Sequence, residues 1–136
     1  MDKVLFSSKT DNWSTPQWLY NELNVEFNFD LDPCPLRSLT DGLDIDWVGN
    51  VFVNPPYSNI SAFLEKGKQE LEKGNAKLIV FLLASRTDTK WFHKYIYKNP
   101  NCEFRFIKGR LKFGESKNSA PFPSMICIFK NYKIWH

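Results

Sequence analysis

The longest apolar run in the chain, Leu78-Ile79-Val80-Phe81-Leu82-Leu83, has no polar interruption and the length of a strand. Absence of alternation is how a strand covered on both faces reads, as parallel strands in layered α/β proteins do. Residues 77–84 are therefore expected at the centre of a sheet. Val51-Phe52-Val53 reads as a second buried strand, and Phe104–Ile107 and Met125–Phe129 as two more. Phe27-Asn28-Phe29-Asp30-Leu31 alternates like a half-buried strand and stops at Asp32-Pro33. Helical patterns lie between these runs. Thr15-Pro16 looks like a helix start, with Thr15 as cap and Pro16 in the first helical position, and Leu19, Tyr20 and Leu23 supply the apolar face. Ile60, Phe63, Leu64 and Leu71 share one helix face and Glu65, Lys66, Glu70 and Glu72 the other. Ser58 or Asn59 is expected to cap that helix, and Gly74-Asn75 to close it in a left-handed turn. Asp88 is expected to cap a further helix through Trp91, Phe92, Tyr95 and Ile96.

Strand, helix, strand, helix, strand and a last strand give an α/β domain with a mostly parallel sheet of about five strands, the final one antiparallel. In such sheets ligands collect beyond the carboxyl ends of the strands. Asp32, Asn54 and Ala84-Ser85-Arg86 each follow a strand, so they are expected to converge on one rim. The 136 residues fit a single domain over 1–136, with residues 1–12 as a loosely held arm and 35–47 as an irregular acidic loop. The loop between the last two strands, around residues 108–123, is rich in Lys, Gly, Ser and Pro.

Composition changes this picture little. A net charge of +3 permits a polyanionic partner without demonstrating one. Cys34, Cys102 and Cys127 form no CxxC pair and are odd in number, which argues against a disulfide framework or a metal site and for a reducing cytoplasm. No apolar run approaches the roughly 18 residues of a membrane span and no leader pattern opens the chain, so a soluble cytoplasmic protein is expected.

The candidate chemistry sits at Asn54-Pro55-Pro56-Tyr57, directly after the strand at 51–53. The amide oxygen of Asn54 and the carbonyl of Pro55 can both accept from an exocyclic amine. Two prolines fix two consecutive φ angles, which lowers the entropy lost on binding. Tyr57 can stack on a planar base. The plain alternative is a proline-rich turn with Tyr57 as a packing residue. Arg86 suits phosphate contact or an ion pair with Asp88. Lys108, Arg110, Lys112 and Lys117, interleaved with Phe113 and Phe122, suit a polyanion and support of an extruded base, or simply a solvated basic loop. His93 and His136 have no partner pattern.

Several separated motifs occur in a telling order: Trp13-Ser14-Thr15-Pro16, Asp30-Leu31-Asp32-Pro33-Cys34, Asp41-Gly42-Leu43, Asp46-Trp47 with Gly49, and Asn54-Pro55-Pro56-Tyr57. The order continues through Ser85-Arg86-Thr87-Asp88-Thr89, Gly109–Gly114 and Ser119–Met125. Over nearly its whole length the chain thus resembles the phage-type DNA N6-adenine methyltransferases, the Dam-like family. The resemblance implies a reduced Rossmann-like fold, S-adenosylmethionine as cofactor and DNA as partner. It also implies transfer of a methyl group to N6 of an adenine swung out of the helix.

Carried over residue by residue, the family pattern makes Asn54, Pro55, Pro56 and Tyr57 the catalytic group. It makes Trp13, Thr15, Pro16, Asp32, Pro33, Cys34, Asp41 and Asp46 the cofactor side. Asp32 would hold the amino group of the methionine moiety, and Asp41 or Asp46 the ribose hydroxyls. Cys34 is read as a small packing residue and not as a nucleophile. The glycines that usually follow the acid are replaced by Pro35-Leu36-Arg37, so the cofactor's backbone cradle must differ. No separate target-recognition domain is visible, which leaves sequence choice to the basic loop or to a homodimer partner. Two alternatives stand beside this reading: a methyltransferase for another amine (cytosine N4, RNA adenine, protein glutamine), and a nucleic-acid-binding module without catalysis.

Overall fold

The computed structural model describes residues 14–35, 41–113 and 119–130. The proposed arm at 1–12, Trp13, Lys117 and His136 lie outside the described residues.

Helix α1 (Gln17–Phe27) is followed by a 3-10 turn at Gly42–Asp44, strand β1 (Gly49–Val53), a 3-10 turn at Tyr57–Asn59, helix α2 (Ile60–Lys73) and strand β2 (Ala76–Ala84). A π-helical turn at Phe92–Ile96 leads to strands β3 (Cys102–Phe106) and β4 (Ser124–Lys130). The four strands form one sheet in the order β1-β2-β4-β3. β1 and β2 run parallel, whereas β4 is antiparallel to both of its neighbours. The expectation of a mostly parallel sheet of about five strands is therefore corrected: the sheet is mixed, and two of its three pairings are antiparallel. The expected direction of the last strand holds.

The fifth strand survives only as a stub. Leu31 makes a single parallel bridge to Val51, with Phe52 N donating to Leu31 O and Asp30 N to Asn50 O. Two features shorten it. Phe27 still belongs to α1, and Asn28 caps that helix in the left-handed region (φ 52°), so no extended backbone begins before residue 29. Asp30 then takes the Asn50 N–H with its side chain, at 2.9 Å, where a strand would use its backbone.

Alternation hidden inside the apolar runs assigns each side chain to one of two layers. Ile79, Phe81 and Leu83 join Val51, Val53, Met125, Cys127 and Phe129 in a core under α2 and the π-helical turn. Val80, Leu82 and Ala84 join Phe52, Ile126 and Ile128 in a second core under α1 and the loop after β3. A central strand with a helix or loop on each face needs apolar residues at every position, and that requirement explains the uninterrupted run.

The starts of α1 and of the π-helical turn differ from expectation by one residue, while α2 has its N-cap at Asn59 as expected. Pro16, not Thr15, is the N-cap of α1, and its carbonyl accepts from Leu19 N and Tyr20 N. Asn59 occupies the N-cap of α2 without a side-chain cap bond. Gly74 closes α2 at φ 83°, a conformation any side chain would strain. Thr89, not Asp88, opens the π-helical turn, its hydroxyl accepting from Phe92 N at 3.2 Å. Among the described residues no helix is long and apolar enough to cross a membrane.

Candidate active site

Parallel pairing of Leu31, β1 and β2 sends the residues that follow each of them to one edge of the sheet, as expected for Asp32, Asn54 and Ser85. Asn54 Nδ2 donates to Thr15 Oγ1 at 3.0 Å, tying the end of β1 to the residue before α1. That bond accounts for Thr15 not capping the helix. Since the donor end of the amide is engaged there, Oδ1 is the end that accepts. Pro55 and Pro16 are buried. Pro56 is extended (φ −61°, ψ 135°), and its carbonyl accepts from Asn59 N at 3.0 Å, which turns the chain into α2.

Tyr57 is partly buried where the two cores meet and packs against both. Its ring lies 5.1 Å from that of Phe122 at an interplanar angle of 61°. Burial pushes the phenol's pKa up while the Arg86 guanidinium pulls it down, so the net shift is upward and the group stays protonated. The Tyr57 hydroxyl is buried without a hydrogen-bond partner among the described residues, and so are Ser85 Oγ and Ser124 Oγ. Ser85 N donates to Pro123 O at 2.9 Å, and Ala84 is paired with Ser124 across the sheet, which draws these groups toward the same corner. Buried hydroxyls with nothing to bond to are costly unless a ligand or water completes them.

The acidic side lies next to this corner. Asp32 is partly buried, and burial raises its pKa although its Oδ1 accepts from Cys34 N at 3.0 Å. No ion pair among the described residues includes Asp32. Tyr20 stands close enough for the Asp32 charge to add to the burial that raises its phenol. The 3-10 turn packs directly on this segment: a Cβ at Gly42 would lie 2.5 Å from Pro33 O, so only glycine fits. Trp47 Nε1 donates to Gly42 O at 2.9 Å and fixes the turn from below. Asp41 Oδ1 accepts from Leu43 N, and the Asp41 charge reaches Cys34. Pro33 is buried, and Cys34 packs against the first core. Burial, followed by Asp32 and Asp41, pushes the Cys34 thiol up to about 12, so it carries no nucleophilic thiolate at neutral pH. Asp46 is exposed, and no contact draws it into this group.

The basic loop divides in two. Lys108, Arg110 and Lys112 are exposed. Phe113 and Phe122 are not loop-surface rings; they are buried at 3% and 8% exposure and belong to the second core with Leu111 and Ala120. Ala120 N donates to Leu111 O, which folds the two arms of the loop together and turns both rings inward. Phe122 meets the site at the ring of Tyr57. Arg86 is exposed and makes no ion pair with Asp88 among the described residues, which removes one of the two roles weighed for it. His93 is structural, with Nε2 2.7 Å from Thr87 O.

Residues 3–134 match the model of the family described as DNA N-6-adenine-methyltransferase (Dam). The chain belongs to this family. No curated protein and no solved structure matches it. Membership of the Dam family implies methylation of adenine N6 in DNA, and DNA methyltransferases generally use S-adenosylmethionine. The acidic side fits that cofactor: Asp32 is a partly buried carboxylate without an ion-pair partner among the described residues, and an amino group would supply one. The Dam motifs pointed to Thr15 and Asn54 separately, but nothing in the sequence linked residues 39 apart. Ser124 lay inside the Ser119–Met125 motif without a role assigned to it, and the phenol of Tyr20 had no motif to mark it.

Proposed function

We propose that this Dam-family chain transfers a methyl group from S-adenosylmethionine to N6 of an adenine extruded from DNA. The observation that carries the proposal is the Asn54 amide, held by Thr15 at the carboxyl edge of the sheet beside buried unpartnered hydroxyls and the uncompensated Asp32. When bound, the cofactor supplies a methyl group on a cationic sulfur that leaves as a neutral thioether. The rest falls to the protein's own groups.

Asn54 Oδ1 and Pro55 O accept the two N6 hydrogens, which favours a pyramidal amine whose lone pair points away from the ring. Tyr57 stacks on the base, a contact worth about 1–3 kcal/mol. No side-chain nucleophile is needed, because alignment and electrostatics carry an in-line displacement. The Asp32 carboxylate takes the amino group of the methionine moiety, with Trp13, Thr15, Pro16, Pro33 and Cys34 shaping that end. Asp41 serves the ribose hydroxyls with better support than Asp46, since Gly42 seats it against Pro33. Arg86, Lys108, Arg110 and Lys112 meet phosphates along the strand. Reaching N6 requires the base to leave the stack.

The test is a tritiated-methyl assay offering DNA, RNA and protein in parallel, with the product nucleoside identified. N6-methyladenine in DNA is the expected product. Label confined to RNA or protein, or a chain that binds DNA but shows no calorimetric heat with S-adenosylmethionine, would overturn the reading.

A further inference from the structure

A cavity of about 310 Å³ opens between α2 and the π-helical turn, and no residue of the candidate active site lines it. Its floor is apolar, formed by Leu71, Phe81 and Phe129 of the first core. Its wall carries Lys68, Lys94 and Lys98 together with Tyr95, Tyr97 and Asn101, and no acidic residue lines it. Lys94 Nζ lies 5.1 Å from the Tyr95 ring centroid and Lys98 Nζ 5.4 Å from that of Tyr97. None of the three lysines takes part in an ion pair among the described residues. Glu65, on which the Lys68 and Lys94 charges act, already accepts from the Tyr95 hydroxyl at 2.7 Å.

Asn101 gives the cavity its specificity. The residue is 9% exposed, and its side-chain Oδ1 is buried without a partner among the described residues. Its backbone is held from both sides: its N–H donates to Asn99 Oδ1 and its carbonyl accepts from Lys130 N. A buried acceptor held in place and left unsatisfied calls for a donor from outside. Ammonium groups call for an anion, while a half-exposed tyrosine over an apolar floor calls for a flat ring. The volume is at the lower end of the roughly 300–1,000 Å³ typical of ligand pockets.

We infer that this cavity binds a nucleotide, with the phosphate against Lys94 and Lys98, the base over the apolar floor beside Tyr97, and an exocyclic amine donating to Asn101 Oδ1. The nucleotide comes either free from solution or as one unit of a nucleic-acid strand. The site is separate from the methyl-transfer corner, and the inference does not rest on the proposed reaction.

Deoxyadenosine monophosphate, inorganic phosphate and a short single-stranded oligonucleotide, each titrated calorimetrically into the full chain, test it. The mononucleotide should bind wild type and Asn54→Ala alike. Binding should weaken about tenfold or more in the exposed double variant Lys94→Glu/Lys98→Glu and in Asn101→Ala. Methyl transfer in the double variant should match wild type. An oligonucleotide whose affinity falls in the Lys94→Glu/Lys98→Glu variant as the mononucleotide's does identifies a strand as the natural source; an oligonucleotide whose affinity that variant leaves unchanged identifies the free nucleotide. Mononucleotide binding that is absent, that survives both cavity variants, that disappears in Asn54→Ala, or that inorganic phosphate reproduces at equal affinity would overturn the inference.

Discussion

β1 carries a buried polar cluster at each end, and the two are built on opposite principles. At its start, Glu70 is fully buried and compensated by donors and charges: Oε1 accepts from Trp47 N at 2.6 Å and from Asn75 Nδ2 at 3.4 Å, while Oε2 makes no hydrogen bond among the described residues and is flanked by Lys66 and Lys73 at 3.6 and 3.4 Å. Burial alone would raise the Glu70 pKa, but these donors and charges hold it below the usual carboxylate range. At the far end, the hydroxyls of Tyr57 and Ser85 have no described partner, and Asp32 is pushed the other way, upward, by burial that nothing offsets fully. A buried carboxylate compensated in this way keeps its charge without a ligand. Unsatisfied groups cost stability until something binds, and among the described residues the buried unpartnered hydroxyls, Tyr57, Ser85 and Ser124, gather at this far end.

The sharpest way to break this comparison is Asn54→Ala. Loss of a group that orients the transition state should lower kcat by about 10²–10³-fold while DNA binding and the thermal midpoint stay near wild type. Single-turnover methylation and a fluorescence melt check both; a fully active variant would remove Asn54 from the site. Glu70→Ala should do the reverse. It strands the Trp47 N–H and two lysines, costing about 3 kcal/mol of stability in urea unfolding, with kcat in the folded fraction little changed.

Asp32→Asn sharpens the contrast through pH. A carboxylate whose folded pKa lies above its unfolded value supports the fold at low pH and loses that contribution as pH rises through the folded value. The amide should therefore stabilise the ligand-free protein at neutral pH and bring no gain well below the carboxylate range, as read by urea midpoints across pH. The same change should weaken S-adenosylmethionine by about 10–100-fold, the worth of a charged hydrogen bond. Calorimetry reads that loss, and unchanged affinity would detach Asp32 from the cofactor. The smallest effect is expected from Thr15→Ala. One neutral hydrogen bond is worth about 0.5–1.5 kcal/mol, so methylation should fall about two- to tenfold, with Thr15→Ser restoring it.

Much of the scaffold was legible because its signals are local. The apolar runs at 51–53, 78–83 and 125–129 are strands, and Gly74 ends α2 where the left-handed residue was expected. The antiparallel direction of the last strand was legible, but the share of parallel pairings was not. A strand buried on both faces looks the same whether its neighbours are parallel or antiparallel, and β2 has one of each. The truncation at 28–31 depended on one left-handed asparagine and one aspartate side chain reaching into the ladder, neither of which disturbs the alternating pattern. Phe113 and Phe122 misled because lysines and prolines surround them. The spacing of two from Leu111 to Phe113 and from Ala120 to Phe122 was the signal that they face inward together. In the site, the motif residues stood at strand ends as read, while Thr15 bonding to Asn54 is a tertiary contact that no local pattern contains.

Tyr57 touches both hydrophobic layers at once, so its ring is clamped between the two halves of the molecule. Tilting such a ring displaces side chains of both layers, Phe122 among them. In the proposed reaction, accommodation of an extruded base would then come from bending of the nucleic acid, and the pliability of the DNA around each adenine would help set how fast it is modified.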